Sequence, residues 1–223
     1  IFFRNEGKEA KELTLEKLTA VSISTATPEI QLPPDSYPIG CDVKPEFQLP
    51  LAEYLLSRRI DPIDVRAHFS LNPAFLNRVI LPCYRNGKVI FWQARALGDV
   101  KPRYKSPGLS KGAVLWGYDN LWGDMRKPLF ITEGILDAAS VDGVAILAST
   151  MTASQEEVLS KNPRRKIIVT DPDKNGENLA KRALTLGWEY TYLPDGDANK
   201  TLQLHGPIYL AFQLMKNINS SKD

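Results

Sequence analysis

Three apolar runs of this chain end on carboxylates, and this pattern most constrains how the chain can fold. The runs and the acids that follow them are 128–132 with Glu133, 165–170 with Asp171 and Asp173, and 190–193 with Asp195 and Asp197. Short apolar runs bounded by Gly, Pro and Asp are typical of buried strands. Strands that alternate with helical patterns predict an α/β fold with a parallel sheet.

The segments between these runs predict the remaining elements of the sheet and its flanking layers. We expect one further strand at 144–148 and helices at 135–141, 152–161 and 178–186. Open parallel sheets form their sites outside the carboxyl ends of the strands. The acids that follow the strands are therefore expected to meet at one edge of the sheet.

Carboxylates that share one edge repel each other, which raises pKa values unless a cation is present. A hard divalent cation relieves this repulsion, and ligand sets made only of oxygen favour Mg²⁺ or Mn²⁺. The alternative is that each aspartate only caps the helix that follows it. The occurrence of Glu-Gly, Asp-x-Asp and Asp-x-Asn, each after its own strand, favours the metal site.

The acidic segments also resemble a known domain. Glu133-Gly134 after one strand and Asp171-x-Asp173-x-x-Gly176 after another are similar to the motifs of the Toprim domain. That domain is shared by bacterial-type DNA primases, topoisomerases of types IA and II, and some nucleases. The resemblance implies a four-stranded, mostly parallel sheet flanked by helices.

Further segments are similar to the bacterial-type DNA primase branch of this group. They are Glu133 with Asp137 four residues on, 147–155, 193–199, 95–107 and 111–117, and the resemblance spans 51–206. Three positions depart from the family pattern: Ala148 and Pro172 stand where glycine is usual, and Asn199 replaces a carboxylate.

The resemblance implies roles for individual residues. Glu133, Asp171 and Asp173 would be catalytic, and Asp137 would support them. The metal ligands it implies are Glu133, Asp171, Asp173, Asp197 and Asn199. The nucleotide- and template-binding residues are Arg58, Arg95, Arg103, Lys105 and Lys111.

The activity implied is nucleotidyl transfer by the polymerase core of a DNA primase. It would join ribonucleoside triphosphates into short RNA primers on a single-stranded DNA template, using two or more Mg²⁺ or Mn²⁺ ions. A replicative helicase is the expected partner. The reduced size and diverged motifs favour a phage or mobile-element origin.

The distribution of charge is consistent with nucleic-acid binding by the middle of the chain and metal binding by its last part. Net charge is −2 over residues 1–39, +6 over 40–127 and −2 over 128–223. Basic surface attracts nucleic-acid phosphates through counterion release. We expect an N-terminal helix at 6–21 and a Pro-rich linker within 1–39, a small basic α+β subdomain at 40–127, a Toprim domain at 128–206, and a C-terminal helix at 207–223.

Local patterns predict the elements of the basic subdomain. Helices are expected at 51–59 and 62–69. A β-hairpin is expected over 78–95, because Asn86-Gly87 is a strong two-residue turn signal between apolar runs. Tyr104 is the aromatic residue expected to be exposed beside the basic residues.

Composition excludes several classes. No apolar run approaches ~20 residues, no secretory leader begins the chain, and two cysteines are too few for a disulfide framework. The chain has no Cys/His cluster for a zinc module and no phosphate-binding loop of a helicase. We therefore expect no zinc, no membrane contact and a cytoplasmic location in a bacterial or phage-infected cell. We expect either the polymerase core of a larger primase or primase–helicase, or a compact stand-alone version.

Two rival functions remain open from the sequence. A Toprim nuclease would use the same acids to direct water at a phosphodiester, and a nucleic-acid-binding subunit would retain a weakened metal site, consistent with Asn199. A topoisomerase is disfavoured because the chain has no tyrosine domain. The series from Arg95 through Arg103 to Lys111 favours the primase over the nuclease.

Overall fold

The computed structural model describes residues 29–219. The helix expected at 6–21 and the last four residues of the expected C-terminal helix lie outside this range. Within residues 29–219, no helix combines the length and apolar character needed to cross a membrane.

The first half of the chain forms a five-stranded antiparallel sheet in sequence order. Its strands are β1 (Ser36–Pro38), β2 (His68–Ser70), β3 (Arg78–Arg85), β4 (Lys88–Ala96) and β5 (Tyr104–Lys105), with helix α1 at Pro45–Ser57. Asn86 and Gly87 both adopt positive φ, as a two-residue type I′ hairpin requires. The predicted hairpin between β3 and β4 is confirmed.

Two expectations for this half were wrong. The segment 62–69 is not a helix, because the turns that follow Asp61 end in β2, which pairs with both β1 and β3. Long-range strand pairing thus overrides the local helical pattern. Residues 36–38 are not linker, since β1 is the edge strand of this sheet. Helix α1 also begins earlier than expected, with Pro45 in its first turn.

The second half of the chain forms the predicted four-stranded parallel sheet. Its strands are β6 (Leu129–Thr132), β7 (Val144–Ala145), β8 (Lys166–Thr170) and β9 (Glu189–Tyr192), in the order β7-β6-β8-β9. The helices are α2 (Ile135–Ser140), α3 (Ala153–Lys161), α4 (Lys174–Thr185), α5 (Ala198–His205) and α6 (Pro207–Lys216). Strand β7 is shorter than expected, because Leu147 adopts a left-handed backbone.

The strand order creates a switch point between β6 and β8. The chain leaves β6 toward β7 on one side and leaves β8 toward β9 on the other. Because such crossovers are right-handed, helices α2 and α4 fall on opposite faces of the sheet. Core packing agrees, since Leu159 and Leu179 share one cluster while Leu136 packs in another. A crevice therefore opens at the carboxyl ends of β6 and β8.

The two sheets are joined through a continuous core and a buried glutamine. Leu55 of α1 and Leu136 of α2 belong to the same buried cluster. Gln155 is fully buried, and its Nε2 donates to the carbonyls of Val114 (2.6 Å) and Ile146 (2.9 Å). Its side chain thereby ties the segment that leaves the first sheet to the end of β7.

Replacing Gln155 by Leu is expected to lower the free energy of unfolding by about 2–4 kcal/mol, because two buried carbonyls lose their donor. Urea titration measures the loss. The control is Ser154→Leu, an exposed position on the same helix, which should change stability by no more than about 0.5 kcal/mol. Equal effects of the two substitutions would contradict the bridging role of Gln155.

Candidate active site

The acids expected at the carboxyl edge are set in place by strand ends and helix caps. Glu133 follows β6 directly, and Asp171 follows β8 directly. Asp173 caps α4, with one carboxylate oxygen accepting from the amides of residues 175 and 176 at 2.9 Å. Asp197 caps α5 by accepting from the amide of Lys200 at 2.6 Å. Asp173 and Asp197 therefore do cap helices, and both also lie close enough to Asp171 to raise its pKa.

We define the acidic edge as Glu133, Asp137, Asp171, Asp173 and Asp197. Burial is the main cause that raises the pKa of Glu133 to about 7, and the charges of Asp171, Asp173 and Asp137 add to it. Glu133 Oε1 is buried and lacks a hydrogen-bond partner. This oxygen is therefore a ready acceptor for a proton or a cation.

Burial and the charge of Asp197 also raise the pKa values of two further acids of the edge, Asp137 and Asp171. Burial, and then the charge of Asp197, raises the pKa of Asp137 to about 7, against an opposing hydrogen bond from the Asn199 amide. Burial also raises the pKa of Asp171, with Asp197 and Asp173 adding to the effect. Without a cation, Glu133 and Asp137 therefore hold protons for part of the time near neutral pH.

A hard divalent cation fits the chemistry of these donors. All are carboxylates, they repel one another, and one buried oxygen is unsatisfied. Across residues 29–219, however, no three His, Cys, Asp or Glu side chains come close enough to hold an ion among themselves. Mg²⁺ commonly uses one or two carboxylates together with water and substrate phosphates. The edge therefore fits an ion that is shared with a phosphate-bearing ligand.

Gly176 explains the spacing of the Asp-x-Asp-x-x-Gly motif. A Cβ at this position would lie 2.0 Å from the carbonyl oxygen of Asp171. The first turn of α4 therefore packs directly against the backbone of the preceding strand end. Only glycine permits this approach, which brings Asp171 and Asp173 to the same crevice.

The structure brings two of the expected basic residues, Arg58 and Lys111, beside the acidic edge, and it links a third, Arg95, to Arg58 through Tyr54. Arg58 donates to Asn199 Oδ1 at 2.7 Å. Lys111 Nζ donates to the carbonyl of Leu147, whose amide in turn donates to the carbonyl of Glu133 at 3.0 Å. Arg95 is buried, with its guanidinium donating to the hydroxyls of two tyrosines, Tyr54 and Tyr104.

The other two expected basic residues flank Tyr104, Lys105 within β5 and Arg103 directly before it. Lys105 points toward the segment before β3, where Nζ donates to the carbonyl of Ala74 at 2.7 Å and lies over the ring of Phe75. Arg103 is exposed in the loop before β5. Tyr104 is exposed at 39%, as expected.

The metal-ligand role expected of Asn199 conflicts with its hydrogen bonds. The side chain is buried, and its Oδ1 accepts from both Arg58 (2.7 Å) and Gln203 (2.8 Å). An amide oxygen has two lone pairs, so none is left for an ion in this arrangement. Asn199 instead joins the acidic edge to the first sheet, a contact that no local pattern signals.

Sequence reasoning also missed Tyr54, which lies between two of the basic residues. The guanidinium of Arg58 lies 4.8 Å from the centre of its ring, and its hydroxyl accepts from Arg95. The only signal in the sequence was the helical spacing that placed Tyr54 in a helix one turn before Arg58.

Comparisons with known proteins agree with the fold and the motifs. No family model matches the chain. The chain is 32% identical over 153 residues to the DNA primase of Halalkalibacterium halodurans, covering 59% of this chain and 25% of the relative. It is 30% identical over 171 residues to the DNA primase of Pasteurella multocida, covering 66% and 29%. The matched region is thus less than a third of the length of these curated relatives.

Solved structures define the class of fold more closely. The DnaG catalytic core matches with a TM-score of 0.65 at 21% identity, covering 77% of this chain and 74% of that one. The primase fragment of the bacteriophage T7 primase–helicase matches with a TM-score of 0.58 at 19% identity, covering 72% of each chain. The chain therefore has the α/β fold of a Toprim-containing primase core. The predicted resemblance to bacterial-type DNA primases is confirmed.

The raised pKa of Glu133 predicts a defined pH dependence of stability. A carboxyl with a raised pKa in the folded state favours folding at low pH, and this advantage is lost as pH rises from about 4.5 to about 7. Glu133→Gln should therefore raise the Tm above that of the parent chain at pH 8, and this gain should vanish near pH 4. Calorimetry in buffer with a chelator measures both profiles.

The control for this prediction is Glu157→Gln on the exposed face of α3. Lys161, at 2.7 Å, holds the pKa of Glu157 below its ordinary value, so this substitution should bring no gain at pH 8. Parallel Tm profiles of the parent and Glu133→Gln chains would contradict the raised pKa.

Proposed function

We propose that this chain is the polymerase core of a DNA primase, which synthesises short RNA primers on single-stranded DNA. One observation carries the proposal: an acidic edge at the switch point of a Toprim sheet lies beside two cationic side chains from the first half of the chain. Arg58 and Lys111 both contact backbone or side chains next to this edge. Acids beside cations suit the transfer of a phosphate-bearing group.

The comparisons support this choice over the rivals. The reported relatives are DNA primases, and the matches to them cover 59% and 66% of this chain. A further solved neighbour, with a TM-score of 0.63 at 20% identity, is the DnaG primase catalytic domain bound to single-stranded DNA. By analogy, the ligand of the basic surface is a single-stranded template. The helicase partner remains a prediction.

In the proposed reaction, the 3′-oxygen of one nucleotide forms a bond to the α-phosphorus of an incoming ribonucleoside triphosphate, and pyrophosphate leaves. Glu133 would serve either as a ligand or as the acceptor of the proton of the attacking hydroxyl, because its buried Oε1 has no hydrogen-bond partner. The expected ligands Glu133, Asp171, Asp173 and Asp197 would hold Mg²⁺ or Mn²⁺. When bound, such an ion neutralises the phosphate oxygens and stabilises the leaving group.

The basic residues would bind and orient the two substrates. Arg58, Arg95 and Lys111 are held by hydrogen bonds to protein groups, so they offer cations in fixed positions. A fixed guanidinium binds phosphate with less loss of side-chain entropy than a free one. Exposed Arg103 would contact the template backbone at the rim of the same surface.

The test is primer synthesis by the chain with labelled ribonucleoside triphosphates, single-stranded DNA and Mg²⁺ or Mn²⁺. We expect short RNA products, and we expect Asp171→Ala/Asp173→Ala to reduce them about a hundredfold or more, since both substitutions remove proposed ligands. The matched control is Glu46→Ala/Glu157→Ala, which removes two exposed carboxylates remote from the edge and should retain synthesis.

The pattern of products distinguishes the alternatives. Extension of a pre-primed template without new primers would support the polymerase core and place initiation outside these residues. Degradation of the template without synthesis would overturn the proposal in favour of a Toprim nuclease. Binding of DNA without either reaction would favour a nucleic-acid-binding subunit.

A further inference from the structure

Asn199 replaces a carboxylate of the family pattern. Its side chain joins the two halves of the chain, and each of its hydrogen-bonding groups has a partner. Asn199 lies in the first turn of α5 and is 2% exposed. Its main-chain amide donates to Asp137 Oδ1 at 3.0 Å. The backbone of Asn199 therefore holds one acid of the acidic edge, whatever its side chain does.

All four hydrogen-bonding positions of the Asn199 side chain are occupied. The Oδ1 atom accepts from Arg58 and Gln203, while Nδ2 donates to the carbonyl of Arg58 (3.0 Å) and to Ser140 Oγ (3.0 Å). An asparagine amide offers two acceptor and two donor positions, so this set is complete. Such full pairing is typical of a residue selected for position rather than for binding a ligand.

The contact requires an amide and not a carboxylate. The hydroxyl of Ser140 donates its hydrogen to the carbonyl of Leu136 at 2.8 Å, so Ser140 Oγ can only accept from Asn199. An aspartate at 199 would place an acceptor oxygen against this hydroxyl oxygen and against the carbonyl of Arg58. The contact with the Arg58 carbonyl would then set two acceptors against each other, and the Ser140 hydroxyl could donate to the carboxylate only by giving up its bond to Leu136.

The guanidinium and the main-chain carbonyl of Arg58 both form hydrogen bonds with the side-chain amide of Asn199, which lies 141 residues further along the chain. Arg58 is the residue at which α1 ends, so its carbonyl fixes the end of the helix and its guanidinium fixes the side chain. The ring of Tyr54 lies 4.8 Å from that guanidinium, and the Tyr54 hydroxyl accepts from Arg95. Contacts therefore lead from Asn199 to Arg58, and from Arg58 through Tyr54 to Arg95.

We propose that Asn199 is a positioning residue that fixes Arg58, and through Tyr54 also Arg95, for contact with the phosphates of a nucleic-acid strand beside the acidic edge. This role rests on the proposed function for its ligand, while the contact itself is independent of it. Asn199 thereby couples the placement of the cationic surface to the backbone that holds Asp137.

The test uses the full chain with Asn199→Asp, Arg58→Ala and the double variant. Fluorescence anisotropy with a single-stranded oligonucleotide in chelator measures the Kd, and thermal unfolding measures the Tm. We expect each single substitution to weaken binding about tenfold, the loss of one charge-assisted contact. The double variant should bind no more weakly than either single variant, and its loss of Tm should be smaller than the sum of the two.

The matched control is Asn162→Asp, a second buried asparagine whose Nδ2 donates to the carbonyl of Leu121 at 2.8 Å, in the other core of the chain. It should lower the Tm and leave the Kd unchanged. If Asn199→Asp behaves in the same way as this control, its role is structural only and the proposal fails. Additive losses of affinity in the double variant would also overturn it.

Two further outcomes separate this proposal from its alternatives. A lower Mg²⁺ concentration for half-maximal synthesis by Asn199→Asp would show that position 199 serves the metal site, and would overturn the proposal. A parent chain that binds no oligonucleotide would overturn the proposed function. Non-additive losses of Tm would then still identify Asn199 as the residue that fixes Arg58.

Discussion

Repulsion among carboxylates at the switch point of the parallel sheet is the constraint on which the rest of the structure depends. The sheet order places the ends of β6 and β8 side by side, so Glu133 and Asp171 meet whatever their neighbours are. Burial increases the cost of each charge, and the raised pKa values of Glu133, Asp137 and Asp171 show it. Strand ends fix Glu133 and Asp171, and helix caps fix Asp173 and Asp197. Asp137 lies in the first turn of α2, where its carboxylate accepts from the amide of Asn199.

Neutral amides join the two halves of the chain around this charged edge. Gln155 ties the segment after the first sheet to β7, and Asn199 ties the end of α1 to the start of α5. Both side chains are buried and hydrogen-bonded to main-chain carbonyls of the opposite half. The amide side chains of these two residues hold the junction without adding a further negative charge beside the acids.

Much of the fold could be predicted from the sequence because its signals are local. The Asn86-Gly87 turn and the acids after each apolar run depend on nearby residues, and the structure has the hairpin and the parallel strands they indicate. The helix expected at 62–69 failed because pairing with distant strands decides the structure of His68–Ser70. The bond between Arg58 and Asn199 spans 141 residues, so no window of the sequence contains it.

The proposed chemistry requires that the acidic edge binds a divalent cation. Anomalous diffraction from crystals soaked in Mn²⁺ tests this claim most directly. We expect a manganese peak about 2.1 Å from carboxylate oxygens of Glu133 and of Asp171 or Asp173, with none at Asn199 Oδ1. Ordered carboxylates without a manganese peak, or a peak coordinated by Asn199, would contradict the account.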